Sequence, residues 1–544
     1  MAGLNARSVL VTGSNRGIGL ELVRQLVGKS NRPEWIFAAC RDPEGPRAQV
    51  LKDLAAKHQG VEIIQLDTSE PSSVKDAATR VTEWLKGVGL TLLINNAGIA
   101  RVNSGMEAET PEDMSEVYKT NVIGPMMVGQ AFLPLLRKAS LESPQNGMSC
   151  SKAAIVNISS EAGSITNLFM WEHAQVVNYR CSKAALNMLT RCQSLGYAND
   201  KILCIALHPG FVQTDMTGGG LLTVNESVQS ILKTLSHLSE KDTGTFVNWQ
   251  GNVLPWLMQA LLDKLRATFG ATVGLNKSVQ RRLGREMAVL NARRVLVTGS
   301  NRGIGLELVR QLVRKNNCPE QVFATCRDPD GPLAQDLKNL AAKHQGVEII
   351  PLDTCDPSSI KAAATKVTKL LKGAGLNLLI NNAGILKLSS LETETPENMA
   401  EVYKTNVIGP MMLSQAFLPL LRKASRESPQ NGMSCSKAAI VNMSSEGGSI
   451  TTVYMWHLAN VVSYRCSKAA LNMLTRCQSL GFDKDEILCI ALHPGFVQTD
   501  MGSSVGQGPL TVDESVQAIL KTLSHLSEKD NGTFVNWEGN TLPW

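Results

Sequence analysis

"LVTGSNRGIGLELVRQLV" runs from Leu10 to Val27 and returns without a change from Leu296 to Val313. A short apolar run leads into a turn with glycines at 13, 17 and 19, and behind it Ile18, Leu22, Val23 and Leu26 recur at the spacing of a helix buried on one face. Strand, glycine turn and helix make the opening unit of a parallel α/β sheet. Its recurrence makes the chain a duplication.

The repeat extends well beyond this unit. "ESPQNGMSCSKAAIVN", "ALHPGFVQTDM" and "KTLSHLSEKD" each occur twice, and the copies close on "NVLPW" at Trp256 and "NTLPW" at Trp544. A period near half of 544 residues is far too long for a solenoid, so whole domains are duplicated. The division is residues 1–256, a linker at 257–286, and residues 287–544, which open on Met287 in "MAVLNARRVLVTG", close to the chain's own start.

Within the first copy, "SVLVTG", "WIFAAC", "VEIIQL", "TLLIN", "AAIVNIS" and "ILCIAL" are apolar runs of strands covered on both faces, with "TGTFVNW" as a last strand. Helical patterns at 17–28, 46–57, 71–86, 111–138 and 178–195 separate them. The predicted fold class is α/β, two tandem Rossmann-type doubly wound parallel-sheet domains.

Of the net charge of +6, the linker carries +4, from Lys264, Arg266, Lys277, Arg281, Arg282 and Arg285 against Asp263 and Glu286. The copies are therefore near neutral, which argues against nucleic-acid or membrane-surface partners. "LMQALLDKLRATF" has apolar residues at helical spacing, so the linker is expected to begin with a short amphipathic helix. No apolar run is long enough to span a bilayer, and the N-terminus lacks the pattern of a secretory signal. The 12 cysteines form no CxxC pair and no metal-ligand spacing with histidine, so no metal is expected and the location read is cytoplasmic.

The glycine turn carries the first chemistry. Glycines let the backbone approach a dinucleotide pyrophosphate whose charge faces the helix N-terminus. The candidates are Gly13, Ser14, Asn15, Arg16, Gly17, Ile18 and Gly19, repeated as Gly299, Ser300, Asn301, Arg302, Gly303, Ile304 and Gly305. Further on, "YRCSK" places Tyr179 four residues before Lys183, and Tyr464 before Lys468. On a helix the pair shares one face, and the ammonium is expected to draw the phenol down from its ordinary pKa of about 10.

T-G-x-x-x-G-x-G, then "NNAG", then a serine, then Y-x-x-x-K, in that order and in both copies, resembles the short-chain dehydrogenase/reductase family; the details look most like its sniffer and C-factor group of carbonyl reductases. The resemblance implies a tyrosine that donates the proton, a lysine that also binds the nicotinamide ribose, a serine that holds the substrate carbonyl and an asparagine that supports a proton relay. These roles fall on Tyr179, Lys183, Ser160 and Asn121, and on Tyr464, Lys468, Ser445 and Asn406. Ser159 stands beside Ser160 as an alternative. The resemblance also implies cofactor contacts at Asp67, Asn95, Ala97, Gly98, Pro209, Gly210 and Thr214, and at Asp353, Asn381, Ala383, Gly384, Pro494, Gly495 and Thr499.

Arg41 and Arg327 follow the second strand of each copy, where a guanidinium accommodates the 2′-phosphate of NADP. Asp42 complicates that reading, because a carboxylate there would favour NAD. Arg16 and Arg302 are also within reach of the phosphate, and NADPH is the cofactor expected. The function read is NADPH-dependent reduction of small-molecule ketones, aldehydes or quinones. A dinucleotide-binding sensor with little turnover and an alcohol-oxidising dehydrogenase are the alternatives, and the copies are expected to pair within the chain.

Overall fold

The computed structural model describes residues 4–102, 105–168, 170–254, 290–314, 317–457, 459, 461–506 and 508–544. The linker and its expected helix lie outside the described residues. The first copy runs β1 (Ser8–Thr12), α1 (Gly17–Val27), β2 (Trp35–Cys40), α2 (Gln49–Lys57), β3 (Val61–Gln65), α3 (Pro71–Leu85), β4 (Leu92–Asn95), α4 (Pro111–Tyr118), α5 (Gly124–Glu142), β5 (Ala154–Ile158), α6 (Val177–Gly196), β6 (Leu203–His208), α7 (Val224–Leu235) and β7 (Phe246–Asn248).

The second copy repeats the order as β8 (Arg294–Thr298), α8 (Gly303–Arg314), β9 (Gln321–Cys326), α9 (Gln335–Lys343), β10 (Val347–Pro351), α10 (Pro357–Leu370), β11 (Leu378–Asn381), α11 (Pro396–Tyr403), α12 (Gly409–Glu427), β12 (Ala439–Met443), α13 (Val462–Gly481), β13 (Leu488–His493), α14 (Asp500–Ser503), α15 (Val512–His525) and β14 (Phe534–Asn536). Among the described residues α14 has no counterpart in the first copy.

Each copy has a seven-stranded sheet, β3-β2-β1-β4-β5-β6-β7 and β10-β9-β8-β11-β12-β13-β14, and every pairing is parallel. The strand runs read as doubly covered in the sequence are buried end to end in β1, β4 and β5. Strand order reverses between β1 and β4, which opens a crevice at their carboxyl ends, where doubly wound sheets bind ligands.

Two departures from the predicted helices matter. Residues 111–138 are not one helix: a π-helical turn at Lys119–Ile123 separates α4 from α5 and sets Asn121 apart from the helical repeat. Helix α7 was not among the helical patterns, although Thr223 and Glu226 form a full capping box at its start.

The copies pack on each other chiefly through α6 against α13, with α4 and α11 each meeting the π-helical turn of the opposite copy. Residues of both copies, among them Leu186, Leu189, Leu471 and Leu474, belong to one continuous buried core, whereas the opposite face of each sheet keeps a core of its own. Tyr118 stacks on Tyr403 with ring centroids 3.6 Å apart. Gly196 leaves room for Leu391, whose Cδ1 would lie 2.4 Å from a Cβ there. A core shared between the copies is expected to hold the halves together without help from the covalent connection. A chain nicked at Arg281, Arg282 or Arg285 should elute on size exclusion as one particle near 58.8 kDa; two species of about half that mass would show that the interface does not hold.

Candidate active site

The glycine loop is shaped by what a side chain would strike. Gly13 and Gly17 have φ of +67° and +52°, and a Cβ on Gly19 would sit 2.2 Å from the Gly13 carbonyl oxygen. Ser14 locks the turn by donating its hydroxyl to Val11 O at 2.6 Å. Helix α1 then begins at Arg16 with no side-chain cap and no acidic residue in its first turn. Its leading N–H groups and positive dipole end are thus available to an anion, as a dinucleotide pyrophosphate requires. Gly299, Gly303 and Gly305 repeat the arrangement.

Thr12 ties this loop to "NNAG". Its hydroxyl oxygen accepts from Asn96 N and Ala97 N, both at 3.0 Å, while Asn96 Nδ2 donates to Thr12 O at 2.9 Å. Asn95 points into the fold: its Nδ2 donates to Asn157 Oδ1 at 2.8 Å, and Asn157 donates onward to Thr190 and Gln193. Asn381 does the same with Asn442. Asp67 and Asp353 each accept a backbone N–H two residues on, from Ser69 and Cys355.

The π-helical turn delivers Asn121 to the site. Its amide is clamped, with Oδ1 accepting from Ile99 N at 2.9 Å and Nδ2 donating to Ile99 O at 2.9 Å and Ser182 Oγ at 3.0 Å. A Cβ on Gly98 would lie 3.2 Å from Asn121 Oδ1 and 3.7 Å from Lys183 Nζ, so these groups converge. Asn406, Gly384 and Lys468 meet in the same way.

The two serines of each copy differ in their bonds. Ser159 is buried and donates to Asn187 Oδ1 at 2.6 Å, as Ser444 does to Asn472. Ser160 lies close enough to Tyr179 for its hydroxyl to oppose the upward shift of the phenol, and Ser445 stands in the same relation to Tyr464. Ser160 therefore faces the tyrosine and Ser159 holds the floor.

Lys183 is buried, its Nζ 5.4 Å from the Tyr179 ring centroid and donating to Ile158 O at 2.7 Å; Lys468 matches, at 5.5 Å from the Tyr464 ring and 2.7 Å from Met443 O. The expected downward pull on the phenol is not seen. Desolvation pushes Tyr179 up to about 12 against the opposing hydrogen bond from Ser160, and the same loss of water lowers Lys183 to about 7, which weakens its own charge. Tyr464 is raised and Lys468 lowered to about 7 by the same cause. A phenol held in its protonated form at neutral pH is poised to give a proton rather than to take one.

At the adenosine end, Arg41 and Arg327 are exposed. Asp42 turns back into its own loop, where Oδ1 accepts from Gly45 N at 2.8 Å, and Asp328 does so with Gly331 at 2.9 Å. The complicating carboxylate is thereby engaged. Arg16 and Arg302 reach across to Asp215 and Asp500, each at 2.6 Å. Thr214 lies beside the glycine loop, its Cγ2 3.8 Å from where a Gly17 Cβ would be, and Thr499 is placed likewise against Gly303. Gly210 and Gly495 turn the segment with φ of +91° and +89°, and Pro209 O accepts from Ser227 Oγ at 2.6 Å.

Past this point the copies diverge. Thr499 caps α14, and Ser504 and Val505 border a cavity of about 400 Å³ together with Leu388 and Ala459. In the first copy the corresponding stretch is three residues shorter, and Gly218 and Gly219 have open space where a side chain would be.

The short chain dehydrogenase family model matches residues 7–221 and 293–509. The chain belongs to the short-chain dehydrogenase/reductase family, as an oxidoreductase with two copies of the family domain. An NADPH-bound carbonyl reductase from chicken fatty liver is 58% identical, covering 47% of this chain and 100% of its own with a TM-score of 0.45. The carbonyl reductase Sniffer of D. melanogaster is 38% identical over 46% of this chain and 100% of its own, with a TM-score of 0.44. The N-domain of a bacterial malonyl-CoA reductase, solved with NADP, is 15% identical but covers 99% of this chain and 98% of its own at a TM-score of 0.68, which places the whole two-copy chain in one known fold.

Sequence reasoning missed several groups. Thr12, Asn157 and Asn187 hold the site from behind; the first two lie inside the glycine-turn motif and the fifth strand's run but drew no role from the sequence. His208 and His493 were also missed: each packs its Nε2 beside the glutamate that follows Ser160 or Ser445, 3.7 Å from Glu161 and 3.8 Å from Glu446. Burial lowers both from the ordinary 6.5 to about 4. Between these values the unfolded chain takes up the proton and the folded chain does not, so stability is full above about pH 6.5 and falls as pH drops toward 4, by about 3 kcal/mol per histidine. Urea unfolding at pH 7 and pH 4.5 should show this loss, and His208→Gln with His493→Gln should shrink it; an unchanged pH dependence would count against it.

Proposed function

We propose that both copies reduce carbonyl compounds with NADPH, each with its own proton donor. The observation that carries this reading is the convergence of Ser160, Tyr179, buried Lys183 and Asn121 on one site, repeated by Ser445, Tyr464, Lys468 and Asn406.

The residues fit a nicotinamide dinucleotide. Gly13 to Gly19 and the uncapped start of α1 would hold the pyrophosphate, Lys183 the nicotinamide ribose, and Pro209 to Thr214 the nicotinamide edge. Arg41 and Arg327, exposed and free of competition from the engaged Asp42 and Asp328, favour the 2′-phosphate and so NADPH over NADH. When bound, the cofactor supplies hydride to the carbonyl carbon. Ser160 holds the carbonyl oxygen by its hydroxyl, and Tyr179, kept protonated by its surroundings, gives that oxygen the proton. Lys183 and Asn121 lie behind the tyrosine on the side from which a proton is returned. Exposed Leu221 and Met216 beside the first site and Leu388 beside the second favour hydrophobic ketones, aldehydes or quinones.

All 12 cysteines are free, which fits a reducing compartment such as the cytoplasm. Among the described residues no helix is long and apolar enough to cross a membrane.

Tyr179→Phe and Tyr464→Phe should each silence one site, and the double variant should lose nearly all NADPH oxidation with a carbonyl panel, by about 10³-fold. Full activity in the double variant would overturn the reading, and a parent chain that binds NADPH without turnover would favour a sensor. Arg41→Asp with Arg327→Asp should lower kcat/KM for NADPH far more than for NADH; an unchanged ratio would remove the arginines from cofactor choice.

A further inference from the structure

We propose that Gln415 and Gln130 are positioning residues that act across the chain, each holding from one copy the loop whose glutamate caps the catalytic helix of the other. Helix α6 starts at Val176 with no side-chain cap and no acidic residue in its first turn, two residues before Asn178 and three before Tyr179. The missing cap comes from elsewhere. Glu109, buried in the loop between β4 and α4, accepts from Asn178 N at 3.0 Å and from Asn178 Nδ2 at 3.0 and 2.9 Å. A carboxylate on the leading N–H groups satisfies orphan donors and lies at the positive end of the helix dipole. Tyr179 is the next residue, so the capped turn sets where its phenol stands.

The glutamate's loop is held in turn by the other copy. From α12, Gln415 donates its amide Nε2 to Met106 O at 2.8 Å and to Glu109 O at 2.9 Å. The reciprocal strap has the same pattern: Gln130 on α5 donates to Leu391 O at 2.6 Å and Glu394 O at 3.0 Å, and Glu394 accepts from Ser463 N at 3.0 Å, directly before Tyr464. Exposed ion pairs flank both straps, Arg422 to Glu107 and Arg137 to Glu392 at 2.6 Å, and contribute little by themselves. The straps are half-buried at the interface, where a lost donor leaves two carbonyls without that partner. The start of each tyrosine-bearing helix is therefore steadied, through its capping loop, by a residue of the opposite copy.

The proposal deepens the two-site reading and rests on it for its kinetic arm alone. In a chain carrying Tyr464→Phe, where only the first copy turns over, Gln415→Met should lower kcat about tenfold and leave KM for NADPH unchanged, because the tyrosine is displaced and the glycine loop is not. In a chain carrying Tyr179→Phe, the same substitution should leave the second copy's kcat unchanged. Gln130→Met should give the opposite assignment, and it decides the question if Gln415→Met does not fold. Amide hydrogen exchange supplies a readout that needs no turnover: Gln415→Met should speed exchange at residues 177–180 and not at 462–465. Equal loss in both copies, or an unchanged kcat in the first, overturns the proposal. If the single-tyrosine parents show no carbonyl turnover, the functional reading fails by itself, and unchanged exchange at 177–180 then overturns the strap.

Discussion

One helix in each copy has two duties that cannot be separated. Helix α6 carries Tyr179 and Lys183 on the face turned to the crevice and packs the rest of its length, buried almost throughout, against α13, which carries Tyr464 and Lys468. The apolar contact that joins the copies is thus also the contact that seats the two tyrosine–lysine pairs. Whatever shifts one helix along the other moves a phenol relative to a serine that is fixed to β5. Close-packed interiors transmit such shifts, because no slack exists to absorb them.

The polar groups of the interior explain why the seat is rigid. Asn95, Asn157, Thr190 and Gln193 form a buried chain of hydrogen bonds that runs from β4 through β5 to α6, and Asn381, Asn442, Thr475 and Gln478 repeat it. Unpaired, each amide would carry a desolvation penalty of about 1–3 kcal/mol. Paired, they fix the distance between the strand that bears Ser160 and the helix that bears Tyr179. Burial of Lys183 has the same character, since its Nζ is kept near the phenol by the Ile158 carbonyl and not by a counter-charge.

Much of this was legible in the sequence. Apolar runs bounded by glycine and asparagine marked the central strands, and motif order marked the glycine loop, Tyr179 and Lys183, because each depends on local spacing along one element; Asn121 came from the family resemblance, and the π-helical turn that sets it apart leaves no mark in the helical pattern. What could not be read depends on distant groups. The sequence put the role on Ser160 and kept Ser159 as an alternative, and the engagement of Ser159 by Asn187, 28 residues further on, has no local signal. Asp42 had the right place for a ribose contact, and only the Gly45 amide shows it turned away. The phenol's pKa was misjudged because a sequence displays the charge of a neighbouring lysine but not the water stripped from both groups. Glu109 had no motif at all, and its use is apparent only when the loop after β4 is seen lying on the start of α6.

The central claim is that one chain holds two complete sites, each with its own glycine loop, serine, tyrosine and lysine, joined by a shared core. Equilibrium titration of the intact chain with NADPH, followed by the fluorescence of the bound nicotinamide, tests it most directly. The account predicts two NADPH bound per chain, and two still bound when both tyrosines are phenylalanine; a stoichiometry of one would contradict it and make one copy a structural partner of the other.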